Sequence, residues 1–129
     1  MPQFPVTEAR RRILAKIPNY EVRITPSDKQ VTVTHGDKII ASSHSALMIE
    51  ETRHDPVYYL PRAEVEMDHL EQTEHSTYCP FKGHAFYWRY NGDVELDNFV
   101  WSYESPYPEV AALKDYFSFY TDKVNVLIA

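Results

Sequence analysis

Between Tyr20 and Glu51 apolar residues recur at every second position: Val22 and Ile24, then Val31 and Val33, then Ile39, each alternating with polar neighbours. That period sends successive side chains to opposite faces of an extended chain, and Pro26-Ser27-Asp28 and His35-Gly36-Asp37 supply turn residues between the runs. The pattern predicts a meander of short antiparallel strands. Ala46-Leu47-Met48-Ile49 predicts a more deeply buried strand after the polar Ser42-Ser43-His44-Ser45. Val57 to Leu60 predicts another, stopped by Pro61, after which Arg62-Ala63-Glu64 turns into a strand carrying Val65, Met67 and His69 on one face. His84, Phe86, Trp88 and Tyr90 alternate against Ala85, Tyr87 and Arg89, and Asn91-Gly92 is a strong hairpin turn. Residues Asp93 to Ser102 are therefore expected to return antiparallel, with residue 83 roughly opposite residue 100. Phe117 to Tyr120 and Val124 to Ile128 predict closing strands joined at Thr121-Asp122-Lys123.

Two stretches break the alternation. Thr7 is placed to cap a helix running to Ile17, with Arg10, Arg11, Arg12 and Lys16 along it and Pro18 ending it. The basic residues are expected on a solvated face, while Ile13, Leu14 and Ile17 form one apolar stripe that docks on the domain or on a second copy, leaving homo-oligomerisation through this helix open. Glu109 to Tyr116 predicts a short helix buried through Val110 and Leu113. The expected architecture is mostly β: a helical appendage over residues 1–18 and a single antiparallel β domain over 19–129, with one short helix in its C-terminal half.

Composition narrows the function by exclusion. At 129 residues, 43% hydrophobic and 25% charged, the chain has room for one domain with one sizeable core. A net charge of −6 lacks the basic balance that phosphate contacts need, so no nucleic-acid partner is expected. No apolar run approaches the ~20 residues of a membrane span, no apolar signal segment is visible, and one cysteine forms no internal disulfide. A cytoplasmic location without membrane contact is expected. With three glycines and no glycine-rich phosphate loop, dinucleotide-binding and P-loop architectures are excluded.

Candidate chemistry gathers around His75 to Tyr90. Pro80 biases Cys79 toward extended backbone and Gly83 tolerates positive φ, so Cys79-Pro80-Phe81-Lys82-Gly83 reads as an ordered turn between strands. The turn sets the thiol beside an ammonium, which favours the nucleophilic thiolate. Glu104 follows Trp101 and Tyr103 in a loop stiffened by Pro106 and Pro108. A carboxyl held among aromatic rings is suited to general acid or base work. The hairpin register then brings Lys82 and Glu104 to one open end. Arg53 and Arg62 flank a strand with consecutive tyrosines and suit an anionic group, with ion pairs to Glu64, Glu66 or Asp68 as the plainer role. Asp93-Val94-Glu95 has the two-acid spacing with which nucleotidyltransferases hold magnesium, yet Asp93, Glu95 and Asp97 beside a hairpin turn also describe a solvated strand face, which is the expectation. His54, His75 and His84 lack any paired-ligand motif, and neither metal nor cofactor is expected.

Four blocks carry a family likeness: Glu51 to Val65 (ETRHDPVYYLPRAEV), Thr77 to Gly83 (TYCPFKG), Trp101 to Pro106 (WSYESP) and Phe119-Tyr120. In their order and spacing, over about residues 20 to 127, they resemble the domain-of-unknown-function 427 family, sometimes labelled nucleotidyltransferase-like. The resemblance implies a compact antiparallel β domain of the tent-like kind and no established reaction. Zinc-binding tent-like domains carry paired cysteines, and a single cysteine departs from that pattern, so no structural zinc is expected.

An aromatic content of 14% exceeds what one small core needs and points to an aromatic pocket. Two functions remain open. As a small-molecule enzyme, the chain would use Lys82, Glu104 and Cys79 as catalytic groups, with Tyr59, Arg62, Trp101, Tyr103 and Tyr120 binding the substrate. As a binding module, the same aromatic cavity would hold a small ligand without chemistry, its single carboxylate suiting a cationic or amide group.

Overall fold

The structure, a computed structural model, describes residues 7–129; the first six residues of the expected appendage lie outside it. Helix α1 (Glu8–Lys16) begins as the sequence predicts, with Thr7 Oγ1 accepting from the Arg10 amide at 3.1 Å. Ten strands follow: β1 (Val22–Pro26), β2 (Val31–His35), β3 (Lys38–Ser43), β4 (Leu47–Glu51), β5 (Val57–Pro61), β6 (Leu70–Cys79), β7 (Gly83–Tyr90), β8 (Val100–Ser102), β9 (Tyr116–Phe119) and β10 (Asn125–Ile128). All pairings are antiparallel. They form a seven-stranded sheet ordered β1-β4-β5-β9-β8-β7-β6 and a three-stranded sheet ordered β10-β2-β3. The mostly β, antiparallel architecture with an N-terminal helix is as expected.

Several local expectations are corrected. The opening strands are not a simple meander, because β1 skips the β2–β3 hairpin to pair with β4. Residues 62–69 form two 3-10 turns, and the strand that pairs with β7 starts only at Leu70. Asn91-Gly92 does turn the chain, with Gly92 at φ 78°, but Val94–Leu96 then forms a 3-10 turn and Asn98 adopts φ 54°. Burial explains the detour. Leu96, Phe99 and Val100 all enter the core while Val94 stays 89% exposed, a spacing no straight strand provides. In consequence β8 pairs Phe86 with Ser102 and Trp88 with Val100, five residues out of the expected register. The short helix is a pair of 3-10 turns over Pro108–Leu113, broken at Val110, and it buries Val110 and Leu113 as predicted. β9 and β10 part company: one lies inside the large sheet, the other on the edge of the small one.

The apolar side chains divide between the two faces of the large sheet. One face carries Leu60, Trp88, Val100, Phe117 and Phe119 against Val31, Val33, Ile40 and Ala41 of the small sheet. The other carries Ile49, Tyr59, Ala85, Tyr87 and Tyr103 beneath Val110 and Leu113. That second face is rolled inward. Glu51 on β4 touches Lys82 at the start of β7, four places away in strand order, whereas a flat sheet would hold those strands about 19 Å apart at ~4.8 Å per step.

Candidate functional site

At the mouth of this roll a polar group sits among aromatic rings. Lys82, in the β6–β7 turn, is 7% exposed, and its ammonium donates to Glu51 Oε1. The Tyr20 phenol donates to the other carboxylate oxygen, Oε2, so both sides of Glu51 are engaged. Tyr20 stacks on Phe81 at 4.6 Å between ring centroids, and Lys82 Nζ lies 5.9 Å from the centre of the Tyr103 ring. Burial pushes the Glu51 carboxyl up. Hydrogen bonds from Lys82 and Tyr20, with the Lys82 charge, outweigh it and hold Glu51 below the ordinary carboxylate value. Desolvation first, and then the hydrogen bond to Glu51, raises the Tyr20 phenol, so it remains a donor. Burial likewise raises Tyr59 and Tyr103.

Lys82 and Glu104 therefore do not form a pair. The register of β7 and β8 turns them to different neighbours: Glu104 Oε1 accepts from Ser102 Oγ at 3.1 Å and faces Arg62 Nη1 at 3.6 Å. Arg62 in turn lies 5.4 Å from the Phe117 ring centre, on the side of the sheet away from Tyr103. Cys79 is a free, half-buried thiol packed against the second apolar cluster, and its carbonyl accepts from the Lys82 amide at 3.2 Å, closing the predicted turn.

The predicted aromatic residues do meet. Trp101 Nε1 donates to the Tyr59 hydroxyl at 3.2 Å, Tyr59 lies 6.5 Å from Tyr103, and Trp101 packs 4.6 Å from Tyr120. Trp101 and Tyr120 also line a cavity of about 260 Å³ with Tyr58, Phe119, Ser118 and Val126, at the seam where β10 meets the large sheet. Asp55 is the one charged residue of its lining. Burial, with a hydrogen bond to Tyr87, pushes the Tyr120 phenol up to about 12. Of the predicted site residues only Trp101 and Tyr120 line this cavity; Tyr59, Tyr103, Arg62, Lys82, Cys79 and Glu104 do not.

Asp93 and Glu95 do not project together from a strand: the Asp93 carboxylate caps its own 3-10 turn, accepting from the Glu95 amide at 3.0 Å. Among the described residues no group of three or more His, Cys, Asp or Glu side chains is arranged to hold a metal ion. No helix among them is long and apolar enough to cross a membrane. Sequence reasoning missed Glu51, Tyr20 and Asp55. For Glu51 a signal was present, since alternation with Leu47 and Ile49 puts it on the buried face, where a carboxylate demands a partner.

Residues 23–129 match the family described as Domain of unknown function (DUF427), and the chain belongs to that family. No curated protein matches the chain.

Proposed function

We propose that this member of the DUF427 family is a small-ligand-binding protein whose site is the Trp101–Tyr120 cavity, with a small cationic or amide group as ligand. One observation carries the reading: a lining that includes Tyr58, Trp101, Phe119 and Tyr120, a single acidic residue, Asp55, and no basic residue. Ring faces attract a cation, and a nearby carboxylate adds to that attraction in a partly desolvated space. At about 260 Å³ the cavity lies just under the range of drug-sized sites, so the fitting group is small. Titration with choline and with its neutral isostere 3,3-dimethylbutanol, followed by calorimetry, tests this. Choline is expected to bind, Trp101→Ala to weaken it at least tenfold, and Asp55→Asn to weaken choline but not the alcohol. Equal affinity for the two compounds would remove the cationic specificity, and no saturable heat with either would end the proposal.

The enzyme reading draws support from a different place. Shifted carboxyl and phenol groups concentrate around Lys82, Glu51 and Tyr20, with the Cys79 thiol in the same turn, and perturbed groups cluster at catalytic sites more often than elsewhere. In this reading Lys82 and Glu51 form the working pair, and Glu104 is replaced in that role. Iodoacetamide at neutral pH discriminates: rapid alkylation of Cys79 favours a reactive site, and an inert thiol favours packing.

A further inference from the structure

Helix α1 is held to the β domain by an arginine. Arg10 is the only buried side chain of the helix, at 6% exposure, whereas Ile13, Leu14 and Ile17 are only half-buried. Its guanidinium lies 5.1 Å from the ring centre of Phe81 and 5.3 Å from that of Tyr107. Arg10 Nε donates to the Pro80 carbonyl at 3.0 Å, and Nη1 to Glu109 Oε1 at 3.0 Å. Two ring faces, a carbonyl and a carboxylate are what a flat, forked cation needs, and a compact ammonium cannot use all four at once.

The walls of this slot do not depend on the helix. The Tyr107 amide donates to the Lys82 carbonyl at 3.0 Å, and the Tyr107 and Tyr78 hydroxyls share a hydrogen bond at 2.6 Å, so the 107–109 segment is fixed to the β6–β7 turn. All four wall residues lie within residues 23–129, the part that matches the family, while α1 lies outside it. We propose that Pro80, Phe81, Tyr107 and Glu109 form a guanidinium-binding slot of the DUF427 domain, which this chain fills with its own Arg10. Arg10 Nη2 is buried without a hydrogen-bond partner among the described residues, so the slot leaves one of the tethered guanidinium's donors unused. A cavity of about 320 Å³ between α1 and the domain opens beside it.

The test uses the full chain with Arg10→Ala, titrated with methylguanidinium and, at equal ionic strength, methylammonium, and read by amide chemical shifts. Saturable shifts centred on Phe81, Tyr107 and Glu109 are expected with methylguanidinium, at least tenfold weaker with methylammonium, in the unsubstituted protein, and after a further Glu109→Gln. Equal response to both cations, or no saturable shift, overturns the proposal. Should Arg10→Ala not fold, recovery of its melting transition by millimolar methylguanidinium but not methylammonium supports the slot. Failure of Arg10→Ala and Arg10→Gln to fold with either cation overturns it, because the slot would then have no existence apart from Arg10.

Discussion

Two lysine or arginine to glutamate pairs in this protein look alike in sequence and differ in environment. In the Lys82–Glu51 pair both side chains are largely buried, at 9% and 14% exposure, while Arg62 and Glu104 are 47% and 31% exposed and 3.6 Å apart. Removing one partner of a buried pair strands the other charge, so Glu51→Ala is expected to cost about 3 kcal/mol. Glu104→Gln is expected to cost less than ~1 kcal/mol, as exposed pairs do. Chemical denaturation of the two variants checks the contrast. The pH dependence follows from the lowered Glu51 carboxyl. A carboxyl whose folded value lies below its unfolded one contributes stability above the unfolded value, near 4.5, and loses it as pH falls through the lower folded value. The gap in melting temperature between the wild type and Glu51→Gln is therefore expected to narrow as pH falls below about 4.5. Lys82 was legible from the sequence because a lysine in a tight turn beside a cysteine invites chemistry. Its partner was not, since the Glu51–Lys82 contact spans 31 positions and depends on the roll of the sheet.

Among the elements, the turn between β6 and β7 carries Cys79 and the buried Lys82 that pairs with Glu51, and Gly83 sets its geometry. Gly83 sits at φ 111°, and an added Cβ would meet the Ser105 carbonyl at 3.4 Å. Gly36, at φ 62° in the β2–β3 hairpin, has nothing within 4 Å of that position. Gly83→Ala is expected to cost about 2 to 3 kcal/mol, in the range of strained non-glycine backbone, and Gly36→Ala about 1 kcal/mol for its left-handed conformation alone. Thermal melts of both variants give the comparison. The same elements show how far alternation can be read. β1 and β2 were visible as period-two runs because each has a regular apolar face, β5 as a short apolar run stopped by Pro61, and the helix start at Thr7 because capping is local. The segment after Asn91-Gly92 was misread because hairpin preference is also local, whereas the 3-10 turn there answers to three core positions, Leu96, Phe99 and Val100, fixed by distant strands. That error moved the register by five residues and took Glu104 away from Lys82. Tyr59 still packs against both Trp101 and Tyr103, although neither Tyr59 nor Tyr103 lines the cavity.

At the scale of the molecule the candidate cavity is lined by residues of both sheets, Trp101 of β8 and Val126 of β10 among them. A ligand there contacts both sheets, so it is expected to slow hydrogen exchange of the Asn125–Ile128 amides as well as those of β8, which exchange measured with and without choline reports. The order of strands has a separate consequence. β9 occupies the middle of the large sheet, yet in the chain it follows both its neighbours, with 54 residues between Pro61 and Tyr116 on the β5 side. Until Tyr116–Phe119 slots in, β5 and β8 each present an unpaired edge flanked by Leu60 and Val100, two residues that finish with no exposure at all. Late insertion of a central strand makes for slow folding and leaves sticky intermediates while it is awaited. Refolding from denaturant is thus expected to take milliseconds or longer and to lose yield to light-scattering aggregates as concentration rises, so the strand that makes the sheet continuous also sets the interval in which two folding chains can capture each other.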